Sequence, residues 1–195
     1  MLQISRAFLD ANLLKTYTLG GFRGAEKDMD KQTFWNDLTS GKFAQMVKET
    51  ANGNKLSSSQ ETYNIIRPMI DTHQDVEKMY GIFANGQNEI LKLKVLATGS
   101  LTSSSVYPRE IAKDCLEYKT ASLILAHNHP SGHPAPSNED KLLTKTILFA
   151  TKLVGTSLLD HVVIGATTYY SFADDGLLRG WSDEYDFIFK KSYSD

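Results

Sequence analysis

His127 and His129, with a carboxylate at Asp140 and a hydroxyl at Ser137, are the side chains best placed for chemistry, and one stretch holds them all: ASLILAHNHPSGHPAPSNED, residues 121–140. Side chains two residues apart leave the same face of an extended chain, so both imidazoles can address one ion. Two neutral imidazoles and a carboxylate make a three-ligand set, which on zinc leaves a fourth tetrahedral position for water, the mark of a catalytic rather than a structural site. Plainer readings stand beside this one. Ser137 and Asp140 fit S-x-x-[DE], a capping box that satisfies free N–H groups at a helix start with no metal at all, and histidines also occur in polar loops. A strand-end HxH, a Pro/Gly loop and a carboxylate in the next helical turn occurring together favour the metal reading.

The elements that must position these residues follow from the pattern on either side. Residues 121–126 form a short apolar run, as in a strand buried on both faces. Pro130, Ser131, Gly132, Pro134 and Pro136 impose a stiff loop, and Ser137 opens a helix with Asp140 in its first turn. Leu142, Leu143, Thr146, Ile147, Ala150, Leu153 and Val154 keep a 3.6-residue period, so that helix is expected to bury one face, with Gly155 as its stop. Residues 158–164 read as another apolar strand. It carries Asp160-His161, read as a hydrogen-bonded structural pair, with a partner that orients a metal ligand as the alternative. Residues 165–168 turn the chain into a strand over 169–172. Upstream, Ser58 and Glu61 fit a second capping box, Tyr63, Ile66 and Ile70 mark a helical face, and Pro68 should kink or end that helix. Residues 77–84 read as a strand, Asn85-Gly86 as a hairpin turn, and residues 89–96 as the return strand, with Lys92 and Lys94 opposite Leu91 and Leu93. Gly99 to Ser105 is a hydroxyl-rich loop that lines a groove or is merely flexible. Pro108 suits the first turn of a helix running to about Tyr118 that contains Cys115 as an inert buried thiol. The sum is an α/β fold, a mixed β-sheet flanked by helices.

HNHPSG followed by PSNED resembles the JAMM motif of the JAB/MPN metalloproteases, in the form carried by bacterial RadC-like proteins. The similarity extends through VYPREI at residues 106–111, LLDHVVIG at 158–165 and YYSFADDGLL at 169–178, and covers roughly residues 57–180. The resemblance implies the cytidine-deaminase-like JAB/MPN architecture, with Zn2+ held by His127, His129 and Asp140 and with Ser137 helping to bind an oxyanion. It also implies an upstream Glu as general base. Aligned on the hairpin, Glu77 falls at that position; Glu89, beside the turn, is the rival, and an exposed strand-end carboxylate is the plain reading. The implied activity is hydrolysis of an amide, peptide or isopeptide, with a peptide tail or a ubiquitin-like conjugate as the substrate class.

Composition sets the outer limits. The 195 residues suit one domain with a small appendage, divided here as a mostly helical extension over 1–56, the JAB-like domain over 57–180 and an aromatic tail over 181–195. Residues 33–49 are compatible with an amphipathic helix and residues 20–24 with a turn, while the polar break over 51–55 marks the boundary. One cysteine excludes intramolecular disulfides and cysteine zinc clusters, which together with the absence of a signal-peptide pattern or a long apolar run favours a cytoplasmic protein that spans no membrane. A net charge of −2 argues against extensive nucleic-acid binding. A DNA-repair accessory protein or nuclease is the alternative that the RadC resemblance keeps open. A zinc deaminase would need PCxxC, which one cysteine cannot supply, and a non-catalytic scaffold would show ligands lost. His133 in the loop reads as a surface residue, with a substrate contact or an extra metal ligand as alternatives. Trp181, Tyr185, Phe187, Ile188 and Phe189 suit docking on the domain or on a second copy in a homo-oligomer.

Overall fold

Strand β3, Ser122–Asn128, is buried at all seven of its residues and is the middle of the sheet. The computed structural model describes residue 53 and residues 55–70, 76–99 and 106–190. The expected helix over 33–49, the turn over 20–24, most of the polar break and the 100–105 loop lie outside the described residues, as does the end of the tail.

The described elements run α1 (Ser59–Ile66), a 3-10 turn (Arg67–Met69), β1 (Lys78–Ala84), β2 (Ile90–Thr98), α2 (Pro108–Glu117), β3, α3 (Asn138–Leu153), β4 (Ser157–Ile164), β5 (Tyr169–Ser171) and α4 (Leu177–Lys190). The strand order is β2-β1-β3-β4-β5. Only β3 and β4 pair in parallel, as a strand–helix–strand unit with α3 as its crossover requires; the other pairs are antiparallel. This is the mixed sheet flanked by helices that the sequence pattern implies.

Alternation along β3 sends Leu123 and Leu125 into one apolar cluster and Ile124 and Ala126 into another. The first cluster lies under α2, α3 and α4 and includes Met79, Ile111, Cys115, Leu143, Ile147, Phe172 and Leu178. The second gathers Ile66, Tyr80, Ile82, Leu93 and Val162, with Tyr63 and Ile70 packed against it from the α1 segment. His127, two residues beyond Leu125, therefore belongs to the face that α3 covers.

Local signals explain most boundaries. Pro68 ends α1 by turning the chain into the 3-10 segment. Ser58 caps α1 by accepting from Glu61 N, but Glu61 reaches past it to Ser57 N at 2.6 Å, so the second half of the capping box is shifted by one residue. The hairpin forms, yet its left-handed residue is Asn88, with φ 61°, not Gly86. The loop is thus longer than two residues, and Asn85 Oδ1 holds it by accepting from Gln87 N and Glu89 N.

Two expectations fail in detail. Leu91 is 41% exposed although Leu93, two residues on, is buried, because the β1 pairing passes from Phe83–Lys92 to Ala84–Ile90 and leaves Leu91 as a bulge residue that breaks the alternation. On α3 the buried residues are Asp140, Leu143, Thr144, Ile147, Leu148 and Thr151, while Leu142 and Leu153 are 64% and 63% exposed. The buried stripe sits one residue away from the one hydropathy selects, because polar Asp140 and Thr144 face inward.

Candidate metal centre

Strand pairing assembles the site before any side chain is considered. In the β1–β3 register Met79 lies opposite His127, so the chain entering β1 at Glu77 runs beside His129 as it leaves β3. His129 N donates to Ile164 O at 3.0 Å, which carries the β4 edge one residue past the end of β3. The loop then folds back: Gly132 N donates to His129 O at 2.9 Å, and Gly132, at φ 79°, adopts a conformation that a side chain would strain. Gly132 O receives Ala166 N at 3.0 Å, and a Cβ at Gly165 would come within 2.5 Å of that same oxygen. A glycine at 165 is what lets the histidine loop sit against the end of β4.

That fold-back orients His129. Its Nδ1 lies 2.8 Å from His133 O. A carbonyl only accepts, so Nδ1 carries the proton and Nε2 of a neutral ring is left as a lone pair. Nε2 stands 3.0 Å from His127 Nε2. The His133 side chain is exposed; its backbone carbonyl is what the site uses.

Asp140 is both a cap and a candidate ligand. Its Oδ2 accepts from Ser137 N at 2.8 Å and Ser137 Oγ at 2.7 Å, while Asp140 N donates to Ser137 Oγ at 3.0 Å. The capping box is therefore complete, and it leaves Oδ1 free to face His127 Nε2 at 3.2 Å; Oδ2 lies 3.4 Å from His129 Nε2. Cap and ligand are compatible readings because they draw on different oxygens. Burial opposes ionisation of Asp140, yet the imidazoles of His127 and His129 and the Ser137 hydroxyl beside it outweigh burial and hold the carboxyl well below the usual range. His129 is held above the ordinary imidazole value by its bond to Asp140, against burial, with the His133 carbonyl and the Glu77 charge adding to it.

The spacing fits a first-row divalent ion. Tetrahedral zinc with N and O bonds near 2.05 Å has edges of about 3.3 Å. The contacts at 3.0, 3.2 and 3.4 Å lie near that value, the last two to different oxygens of Asp140, and one donor atom from each of the three residues falls within 4.8 Å of the others. Donor chemistry agrees, since imidazole and carboxylate together suit zinc.

Glu77 lies half-buried just before β1, and its carboxylate is close enough to His129 to raise the imidazole pKa. Its backbone is pinned on both sides. Asn128 Oδ1 accepts from Lys78 N at 2.8 Å, Asn128 Nδ2 donates to Val76 O at 3.1 Å, and Gly99 N donates to Glu77 O at 2.9 Å. Glu89 sits at the far end of β1, bonded to Asn85 Nδ2 at 2.8 Å, and is remote from the histidines.

His161 is wholly buried, stacked on Phe172 with ring centroids 5.1 Å apart and planes 11° from parallel. Its Nε2 lies 2.8 Å from His127 Nδ1 and its Nδ1 2.6 Å from Thr144 Oγ1. Burial, then the neighbouring His127, pushes its pKa well below the imidazole norm. Asp160 does not bond that ring. It accepts from His161 N, Ser171 Oγ and Ala173 N, at 2.7, 2.7 and 3.0 Å, and so anchors the turn after β5. The expected Asp160–His161 structural pair is thus replaced by two separate devices, because successive strand residues point to opposite faces.

A family model for the RadC-like JAB domain matches residues 56–177, well over half of the chain. The chain belongs to the RadC-like JAB domain family. As a member it is 40% identical over 125 residues to a UPF0758 protein of Methanosarcina mazei, an alignment covering 64% of this chain and 54% of that protein. It is also 40% identical over 124 residues to one of Clostridium acetobutylicum, at 64% and 54% coverage, and 40% identical over 140 residues to one of Aliivibrio fischeri, at 71% and 58%. The chain spans about half the length of the curated relatives it matches.

Of the residues that the sequence singles out in this RadC-like JAB domain, His127, His129, Asp140, Ser137 and Glu77 come together, and Glu89 does not. Asn128 and Thr144 had no signal. A neutral amide between two histidines and a threonine on a helix interior carry no ligand chemistry of their own.

Proposed function

We propose that this RadC-like JAB domain is a zinc-dependent hydrolase of amide bonds, peptide or isopeptide, in which His127 Nε2, His129 Nε2 and an Asp140 carboxylate oxygen hold the ion. The observation that carries the proposal is the convergence of two imidazole nitrogens and a carboxylate, one donor atom from each within 4.8 Å of the others, with a second carboxylate, Glu77, beside them. A zinc ion bound there supplies Lewis acidity, polarising a carbonyl and making water acidic near neutral pH. Glu77 takes the proton from the attacking water and delivers it to the departing amine, the two tasks of a general acid/base. Ser137 lies at the N-terminus of α3, where the helix dipole favours negative charge, and its hydroxyl donates to the oxyanion after swinging its proton off Asp140 Oδ2. Asp140 keeps the Ser137 N–H through that swing, so the cap survives. A peptide tail or a ubiquitin-like conjugate is the substrate class that this chemistry suits.

Zinc content and amide cleavage in Glu77→Ala test the assignment. The expected result is stoichiometric zinc with cleavage reduced by about a hundredfold or more, since general acid–base catalysis contributes roughly 10²–10⁴. Full activity in that variant rules the role out, and a wild-type protein that binds no zinc rules out the reading as a whole.

A further inference from the structure

The protons between His127 and Asp140 can be placed from their acceptors alone. A carbonyl oxygen has no proton to give, so the 2.5 Å contact from Thr144 Oγ1 to Asp140 O uses the single hydroxyl proton of Thr144. Towards His161 Nδ1, at 2.6 Å, that hydroxyl can then only accept, which puts a proton on His161 Nδ1. The His161 ring is completely buried, and among the described residues no carboxylate bonds either of its nitrogens. A buried imidazolium without an anion is costly, so the ring is neutral and its Nε2 is a bare acceptor. Across 2.8 Å, His127 Nδ1 must donate to it. The nitrogen left to His127 for coordination is Nε2, the atom that faces His129 Nε2 and Asp140 Oδ1.

We propose that His161 is a positioning residue which, held by Thr144, fixes the proton of His127 on Nδ1 and so presents Nε2 as the metal donor. Histidine ligands generally need such a partner for the second ring nitrogen, and it is usually a carboxylate or a backbone carbonyl. His129 uses a carbonyl, that of His133. His127 uses a third histidine, and the chain of bonds ends on the backbone of another candidate ligand, Asp140. His127, His161, Thr144 and Asp140 thereby form a closed ring that ties β3, β4 and α3 together at the site. The purpose of the relay rests on the metal reading above, whereas its proton positions do not.

Long-range proton–nitrogen correlation spectra of the full chain, labelled with ¹⁵N-histidine and kept in chelator, read those positions directly. The relay requires protonated Nδ1 on both His127 and His161 and a bare His161 Nε2; a protonated His161 Nε2 overturns it. Zinc affinity gives a second readout through His161→Phe, His161→Gln and Thr144→Val. The Phe and Val variants should bind zinc about 10–100-fold more weakly. The Gln variant should recover most of that loss, because its amide oxygen accepts from His127 and its amide nitrogen donates to Thr144. Affinity within twofold of wild type in both Phe and Val variants, or a Gln variant no better than Phe, overturns the proposal. Should His161→Phe fail to fold, Thr144→Val and the spectra still decide. Should the wild type bind no zinc, the hydrolase reading fails while the spectra continue to report on the relay.

Discussion

Asn128 stands between the two histidines, yet its amide spans to the neighbouring strand and grips the backbone on either side of Glu77. The residue is 5% exposed, while its partners are more open, Val76 being 37% exposed, so both bonds are part-buried. Asn128→Leu keeps a side chain of similar size and removes both partners. An intramolecular hydrogen bond is worth about 0.5–1.5 kcal/mol net, so loss of both should lower the unfolding free energy by about 1–3 kcal/mol in urea titration. His127 and His129 are untouched, and zinc should still bind; cleavage should fall because the Glu77 backbone is no longer held. A loss under about 0.5 kcal/mol would show that the clamp is not structural. This residue also shows where sequence reading stops. Ligand types at ligand spacing were legible because imidazole and carboxylate are rarely placed so without purpose. A clamp is legible only from the strand register, which brings the 76–78 segment to residue 128 through pairing that a local pattern does not encode.

At the scale of an element, α3 separates what hydropathy predicts from what the site imposes. Its period of 3.6 was legible, and so were its start at Ser137 and its stop at Gly155, which adopts φ 81°. Its rotation was not. Asp140 must face the histidines and Thr144 must reach His161, and together they turn the helix so that Leu142 and Leu153 meet solvent. Polar residues on a buried face are invisible to an apolar count, which is why the predicted stripe lies one residue off. The two rotations agree on Ile147 and disagree on Leu142 and Leu153. With the observed face, Leu142→Lys and Leu153→Lys should each change stability by no more than about 0.5 kcal/mol. Ile147→Ala, at a position wholly removed from water, should cost about 2–4 kcal/mol through lost contacts and the cavity left behind. Thermal or urea unfolding of the two lysine variants decides between the rotations, with Ile147→Ala as the reference for a buried position. A large loss for either lysine variant would mean that the hydropathy stripe is the buried one.

For the molecule as a whole, the alternation of apolar runs with helical patterns, broken by Pro and Gly, was enough to imply a mixed sheet between helices. The order of its strands was not, since β1 enters between β2 and β3 through pairs that lie 38 residues apart at Ala84–Ser122 and 48 apart at Met79–His127. The same topology makes the candidate metal centre a joint rather than an ornament. His127 ends β3, His129 leads the loop, and Asp140 lies in the first turn of α3, so a shared ion links the central strand to the helix that covers the larger apolar cluster. An ion that binds the folded chain and not the unfolded one stabilises it by RT ln(1 + [L]/Kd), about 2.7 kcal/mol at a hundredfold excess over Kd. For a chain of this size the unfolding midpoint should rise by roughly 5–10 °C when zinc is added to chelator-treated protein, and fall back when the chelator is restored. His129→Ala is the control, because its ring is only partly buried, at 14% side-chain exposure, and its removal should disturb folding least among the three donors. That variant should lose the zinc-dependent rise while keeping a midpoint near that of the metal-free wild type. Glu77→Ala, which deletes no donor, should keep the rise. A rise of equal size in His129→Ala would place the ion elsewhere, and no rise in the wild type with any first-row divalent ion would leave the three donors as a hydrogen-bonded cluster with no metal to hold.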